Sequence, residues 1–177
     1  MLPAIYLNPP RTRANLVQAR DGAFVDTSGS SRGLSNEQDR QLLLELRKLA
    51  DVVVTDGETA RLESYRIPRD CDLAVITRKG FQPRASASEK TYLELRSTPE
   101  ASINELLLTG YRRILVECGP QLVAKMIAGR LIDQLCLTNT GGSKAQLSAL
   151  GIANAQLQYE LVDGDTTFSV WSQIQAS

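Results

Sequence analysis

Residues 114–135 read ILVECGPQLVAKMIAGRLIDQL, and the fold turns on them. Residues 114–117 form a short apolar run suited to a buried strand. Cys118-Gly119-Pro120 is a compact turn, and an amphipathic helix follows, ending at Gly129. A strand that passes through such a turn into a helix leaves backbone N–H groups unpaired at the helix start. With the helix dipole behind them, those groups suit a phosphate or pyrophosphate. The place is the carboxyl end of a strand, where open α/β sheets bind ligands. An ordinary β-turn-α packing unit accounts for the same residues, and taken alone the segment favours that plainer reading.

Working outward, the same alternation repeats. Residues 14–18 are a short strand that ends near the turn pair Asp21-Gly22. Ser35 followed by Gln38 has the spacing of a capping box, which predicts a helix over residues 36–49 with Leu42, Leu43, Leu46 and Leu49 on one face. The β-branched run DVVVT at 51–55 reads as a buried parallel strand. A short helix after Gly57, strands at 73–77 and 92–95, and a helix opened by Thr98-Pro99-Glu100 and closed at Gly110 follow. Beyond the opening stretch, residues 134–138 are a strand. Residues 156–162 and 166–172 read as an antiparallel hairpin whose loop is not a clean two-residue one. Residues 1–12 read as a tail or edge segment, and 81–90 and 140–154 as loops. The sum is an α/β fold with a central mixed sheet and a C-terminal antiparallel hairpin.

The chain of 177 residues suits one domain spanning 1–177. Twenty basic residues balance twenty acidic ones without long runs of either sign, which argues against nucleic acid or a membrane surface as partner. No apolar stretch approaches the ~20 residues of a membrane span, and no signal-peptide pattern is present. Cys71, Cys118 and Cys136 are widely spaced within or beside apolar runs and read as packing residues of a reduced, cytoplasmic protein. Histidine is absent, which excludes histidine triads and the common zinc sites, so no metal is expected. Chemistry carried by an organic cofactor fits this inventory best.

Several segments then occur in a telling order: RANLVQARDGAF at 13–24, LRKLADVVV, TARLESY, LAVITRKG, and GYRRILVECGPQLVAKMIAGRLIDQLCLT. Together they resemble the pyrimidine reductase domain of riboflavin biosynthesis, over roughly residues 13–172 and most strongly at 40–80 and 110–138. That resemblance implies a three-layer αβα fold of the dihydrofolate reductase type, NADPH as cofactor, a small-molecule substrate and a homodimer. It places Asp21 and Asn15 beside nicotinamide and substrate, and matches Glu117, a further catalytic candidate, to the first residue of the family's Glu-Gly-Gly-Pro segment. Gly57, Thr59, Gly119, Pro120, Gln121 and Leu122 fall on the cofactor side. Thr77 and Arg78 stand where the fold meets the adenosine 2′-phosphate, and an arginine fork there favours NADPH over NADH.

Departures accompany the match. Where the family carries Ser-Leu-Asp-Gly, this chain has Ala19-Arg20-Asp21-Gly22. Where it carries a glycine-rich G-x-G-T, this chain has Asp56-Gly57-Glu58-Thr59. Acids at both glycine positions repel an anionic cofactor and add side chains where backbone should approach it. Glu117-Cys118-Gly119 replaces one glycine of a tight pair. Three readings follow: an NADPH-dependent reductase of a ribosylamino-pyrimidine phosphate, a dihydrofolate or pterin reductase, and a non-catalytic homologue that keeps the fold as a binding module.

Overall fold

The computed structural model describes residues 2–85 and 88–176. Its frame is an eight-stranded sheet in the order β4-β3-β2-β5-β1-β6-β8-β7. In chain order the elements are α1 (Ala4–Leu7), β1 (Thr12–Gln18), α2 (Glu37–Leu49), β2 (Val52–Asp56) and α3 (Gly57–Leu62). Next come β3 (Asp72–Ile76), β4 (Tyr92–Leu95), α4 (Pro99–Leu108), β5 (Ile114–Val116) and α5 (Pro120–Ala128). The chain finishes with β6 (Gln134–Thr140), a 3₁₀ turn (Leu147–Leu150), β7 (Ile152–Asp163) and β8 (Thr166–Ala176). The strands β1 to β6 pair in parallel, and β8 runs antiparallel to both β6 and β7. Among the described residues no helix is long and apolar enough to cross a membrane.

The short central strands explain this placement. All of β5 and the first four residues of β2 are buried, as runs apolar on both faces must be. One face packs Ala14, Val54 and Val116 against Ile103, Leu106, Val123 and Met126 of α4 and α5. The other packs Val53, Val75 and Leu115 against Leu42 and Leu46 of α2 and Ala60 of α3. Helices on both faces of one sheet make three layers, as expected. Cys71, Cys118 and Cys136 are all buried and unbridged.

Local capping fixes the helix starts. Thr98 accepts the N–H of Ala101 with Pro99 in the first turn, as read from sequence. The start of α2 differs from the capping box. Asn36, not Ser35, is the cap, and its Oδ1 accepts the Asp39 N–H at 2.9 Å. Asn36 is extended and sits one residue nearer the helix, which leaves the Ser35 hydroxyl to donate to Asp39 Oδ2 at 2.7 Å. Gln38, the other half of the expected box, bonds Asp163 and Thr166 of the hairpin instead.

Three further expectations change. Residues 4–7 are a helix rather than a tail. Tyr6 is 2 % exposed, and buried Arg13 donates to the Tyr6 carbonyl at 3.0 Å and to Gln134 Oε1 at 2.6 Å. An aromatic ring that finds apolar cover holds a terminus down. The span 140–154 is only partly loop, because β6 runs through Thr140, the 3₁₀ turn follows, and Leu150 and Ile152 enter the core. The hairpin loop is a clean two-residue one after all. Asp163 pairs with Thr166, and Gly164 takes the left-handed conformation at φ 60° that a tight hairpin needs at its first turn position. The remaining loop expectation, at 81–90, includes residues 86–87, which lie outside the described residues.

Candidate functional site

Parallel strands β3, β2, β5, β1 and β6 all present their carboxyl ends on one edge, and α2 and α3 lean over the α2-side face there. Between them lies a cavity of about 470 Å³, within the range of small-molecule sites. Asn15 from β1, Thr59 from α3, and Glu117, Gly119 and Pro120 from the turn after β5 all line it. The sequence named each of these. Asp39 and Arg47 of α2 and Tyr65 line it too, and sequence reasoning missed them. A signal for Asp39 existed, since it lies at helical spacing from Leu42, Leu43 and Leu46 and so falls on the apolar face.

The cavity floor divides into satisfied and unsatisfied groups. Glu117, 7 % exposed, receives Arg47 through Nε at 2.9 Å and Nη2 at 2.6 Å, and the Tyr65 hydroxyl as well. Burial alone works against the Arg47 charge, but Glu117 outweighs it and holds the guanidinium firmly charged. Burial and the same carboxylate push the Tyr65 hydroxyl well up. Asp39 is the opposite case. It is 4 % exposed; Oδ2 accepts from Ser35, while Oδ1 makes no well-formed hydrogen bond and has the buried Thr138 hydroxyl as its neighbour. Burial raises its carboxyl above the ordinary value, with the Ser35 and Thr138 hydroxyls opposing. Asn15 Oδ1 is likewise buried without a partner. Both residues line the cavity, and each keeps one side-chain oxygen short of a well-formed hydrogen bond.

Beside this cavity, the turns after β2 and β5 meet. Asp56 caps α3, its Oδ1 accepting the N–H groups of Glu58 at 3.0 Å and Thr59 at 2.9 Å. Its Oδ2 accepts the Thr59 hydroxyl at 2.8 Å and the Gly119 N–H at 3.0 Å. One carboxylate therefore joins the starts of α3 and α5. Glu58 is exposed. A Cβ on Gly57 would come 2.4 Å from the hydroxyl of buried Thr77, so the end of β3 and the start of α3 touch through this glycine. Cys118 packs inward, its thiol 3.7 Å from the Val54 carbonyl.

The other named residues fall outside the cavity lining. Asp21 is exposed, and its Oδ1 accepts the Ala23 N–H at 3.0 Å in a turn. Arg78 is exposed just beyond the end of β3, Gln121 is exposed on the first turn of α5, and Leu122 packs against the core. Three arginines the sequence reading passed over, Arg32, Arg40 and Arg66, surround the cavity. Arg32 is paired with Glu63 at 2.7 Å.

The comparisons with known proteins bear on this arrangement. The RibD C-terminal domain family matches residues 10–141, and the chain belongs to that family. No curated protein matches it. Among solved structures it is similar to a pyrimidine reductase-like protein of Corynebacterium diphtheriae, with a TM-score of 0.74 and 19% identity, covering 99% of this chain and 96% of that one. It is similar to RibD of Acinetobacter baumannii at a TM-score of 0.72 and 14% identity, covering 93% of this chain but 58% of that one. Dihydrofolate reductase of Enterococcus faecalis, in complex with NADP(H), aligns at a TM-score of 0.59 and 14% identity over 91% of this chain and 95% of that one. At these identities the likeness is one of fold, the dihydrofolate reductase-like α/β fold read from the sequence.

Proposed function

We propose that the domain is an NADPH-dependent reductase of the riboflavin-pathway type, acting on a ribosylamino-pyrimidine phosphate held in the cavity beneath α2. The observation that carries this is the cavity at the carboxyl edge of a reductase-family sheet, whose lining includes Asn15 and Asp39, each with a side-chain oxygen short of a well-formed hydrogen bond. A pyrimidine ring offers N–H donors that suit both. Arg40 and Arg66 on the surround suit a phosphate monoester.

The starts of α3 and α5 suit the bridging phosphates of a dinucleotide. Their donors already converge on one anion, the Asp56 carboxylate. In this reading Gly57, Thr59, Gly119, Pro120, Gln121 and Leu122 hold the cofactor's middle, and Thr77 and Arg78 meet its 2′-phosphate. When bound, NADPH supplies a hydride, destined in this reading for the ribose C1′, which opens the sugar to a ribityl chain. Asn15 and Asp39 orient the ring against the floor. Phe24, Leu43 and Ile67 exclude water along the walls. Asp39, on the buried face of α2, accepts from the bound heterocycle. Glu117, held by Arg47 and Tyr65, positions the cavity floor. Asp21 shapes the loop after β1. A homodimer completes the reading, since β7 is a sheet edge exposing Leu157, Leu161 and Val162.

One experiment tests it: NADPH oxidation followed with the ribosylamino-pyrimidine phosphate, alongside calorimetric titration of NADPH and NADH. Turnover with NADPH is expected, together with an Arg78→Ala variant that weakens NADPH about tenfold, roughly 1.4 kcal/mol, and leaves NADH unchanged. Absence of both turnover and binding overturns the reading. A second reading, a homologue that binds the heterocycle without reducing it, draws on Asp56, which occupies the donors the cofactor needs.

A further inference from the structure

Asp56 does more than cap a helix. Capping α3 requires only that one side-chain oxygen accept from the Glu58 and Thr59 amides, and Oδ1 does so. Its second oxygen reaches across to another strand's turn and takes the Thr59 hydroxyl and the Gly119 N–H. Pro120 brings no N–H to the first turn of α5, so the Gly119 amide is among the few donors this helix start can offer. Gly119 lacks a side chain, and a Cβ there would lie 3.3 Å from Thr59 Oγ1 and 3.8 Å from Asp56 Oδ2. The turn is thus shaped to bring backbone against an anion, and the chain itself provides the anion.

We infer that Asp56 is an internal competitor for the dinucleotide's pyrophosphate, an affinity-setting residue that must leave the Gly119 and Thr59 donors before the cofactor can take them. This rests on the NADPH reading above. Occupied donors and a like charge act in the same direction, so cofactor affinity is lower than an uncharged residue at this position would give. The effect is local. Glu58 carries the same charge one turn position away, but it is exposed and touches none of these donors.

Calorimetric titration of NADPH, and of inorganic pyrophosphate as a minimal probe, into the wild type, Asp56→Asn and Glu58→Gln tests this. Asparagine keeps an oxygen to cap α3 but is not an anion. Tightening of NADPH by tenfold or more in Asp56→Asn, with a pyrophosphate-induced rise in Tm seen only in that variant, is the expected result. Glu58→Gln should change affinity less than threefold. Equal tightening in both variants overturns the proposal, because general repulsion then suffices. Unchanged affinity in Asp56→Asn, with NADPH binding in the wild type, also overturns it and leaves the reductase reading standing. No binding to any of the proteins overturns both. Should Asp56→Asn fail to fold, Asp56→Ser, still a capping residue but too short to span to Gly119, is read in the same way.

Discussion

Two acids stand a few residues from the carboxyl edge of this sheet and meet opposite fates. Asp56, half-buried, receives donors at both oxygens and ties two helix starts together. Asp39, buried more deeply, leaves one oxygen without a well-formed bond, with only the Thr138 hydroxyl beside it. A satisfied carboxylate is part of the architecture, whereas a buried one that lacks a donor carries a standing cost. The contrast separates the edge into a structural half around the turns after β2 and β5, where the chain engages the carboxylate that the proposed cofactor would displace, and a half beneath α2 that the proposed function makes receptive to substrate.

The largest blow to this contrast is to make a second Asp39. Arg47→Ala leaves Glu117 buried and unpaired, and should destabilise the fold by about 3–5 kcal/mol, read from the urea unfolding midpoint. Asp39→Asn should go the other way in stability and hard against function. At neutral pH removing the buried charge is expected to stabilise by about 1 kcal/mol, at the low end of the cost of an unsatisfied buried group. The same change should lower kcat/KM about 100-fold, roughly 2.7 kcal/mol.

Stability varies with pH through the same carboxyl. The folded Asp39 carboxyl holds its proton more tightly than its ordinary value of 3.8. Wild-type stability gained from this group is therefore complete below the unfolded pKa and is lost as pH rises through the raised folded one. Asp39→Asn should flatten that part of the profile, and an unchanged slope would mean the carboxyl is not desolvated. On the structural half, Asp56→Ala should cost about 1 kcal/mol through the lost cap, measured as a fall in Tm. Smallest is Arg66→Ala, an exposed cation at the cavity, expected to raise substrate KM about two- to fivefold, under 1 kcal/mol, with kcat unmoved.

The sequence carries the structural half far better than the receptive one. The turn after β5, the start of α4 at Thr98 and the buried run of β2 are local signals, legible because cap, proline and β-branched residues act on their immediate neighbours. Helix α1 was not legible, since Tyr6 is held by Arg13 and by rings brought from the far hairpin, such as Tyr159. Glu117 could be named, but not its partner Arg47, which is seventy positions away in the chain. Asp39 left a trace only as an acid on an apolar helical face. Whether Asp56 pointed into the groove depended on the Gly57 turn and on Gly119 arriving from another strand. Polar satisfaction is a long-range property, and spacing along one segment does not contain it.

The three cysteines give the molecule an unplanned clock. Burial pushes Cys71 and Cys136 up to about 12, with Arg13 opposing at Cys136, and pushes Cys118 well above the ordinary thiol value. In the folded state each is a buried, poor nucleophile, so alkylation counts openings rather than encounters. The three sit at different depths of commitment: Cys71 just before β3, Cys136 within β6, and Cys118 in the turn that Asp56 clasps. Loosening that clasp should quicken labelling at Cys118 and leave the other two on the slower rhythm of the whole sheet.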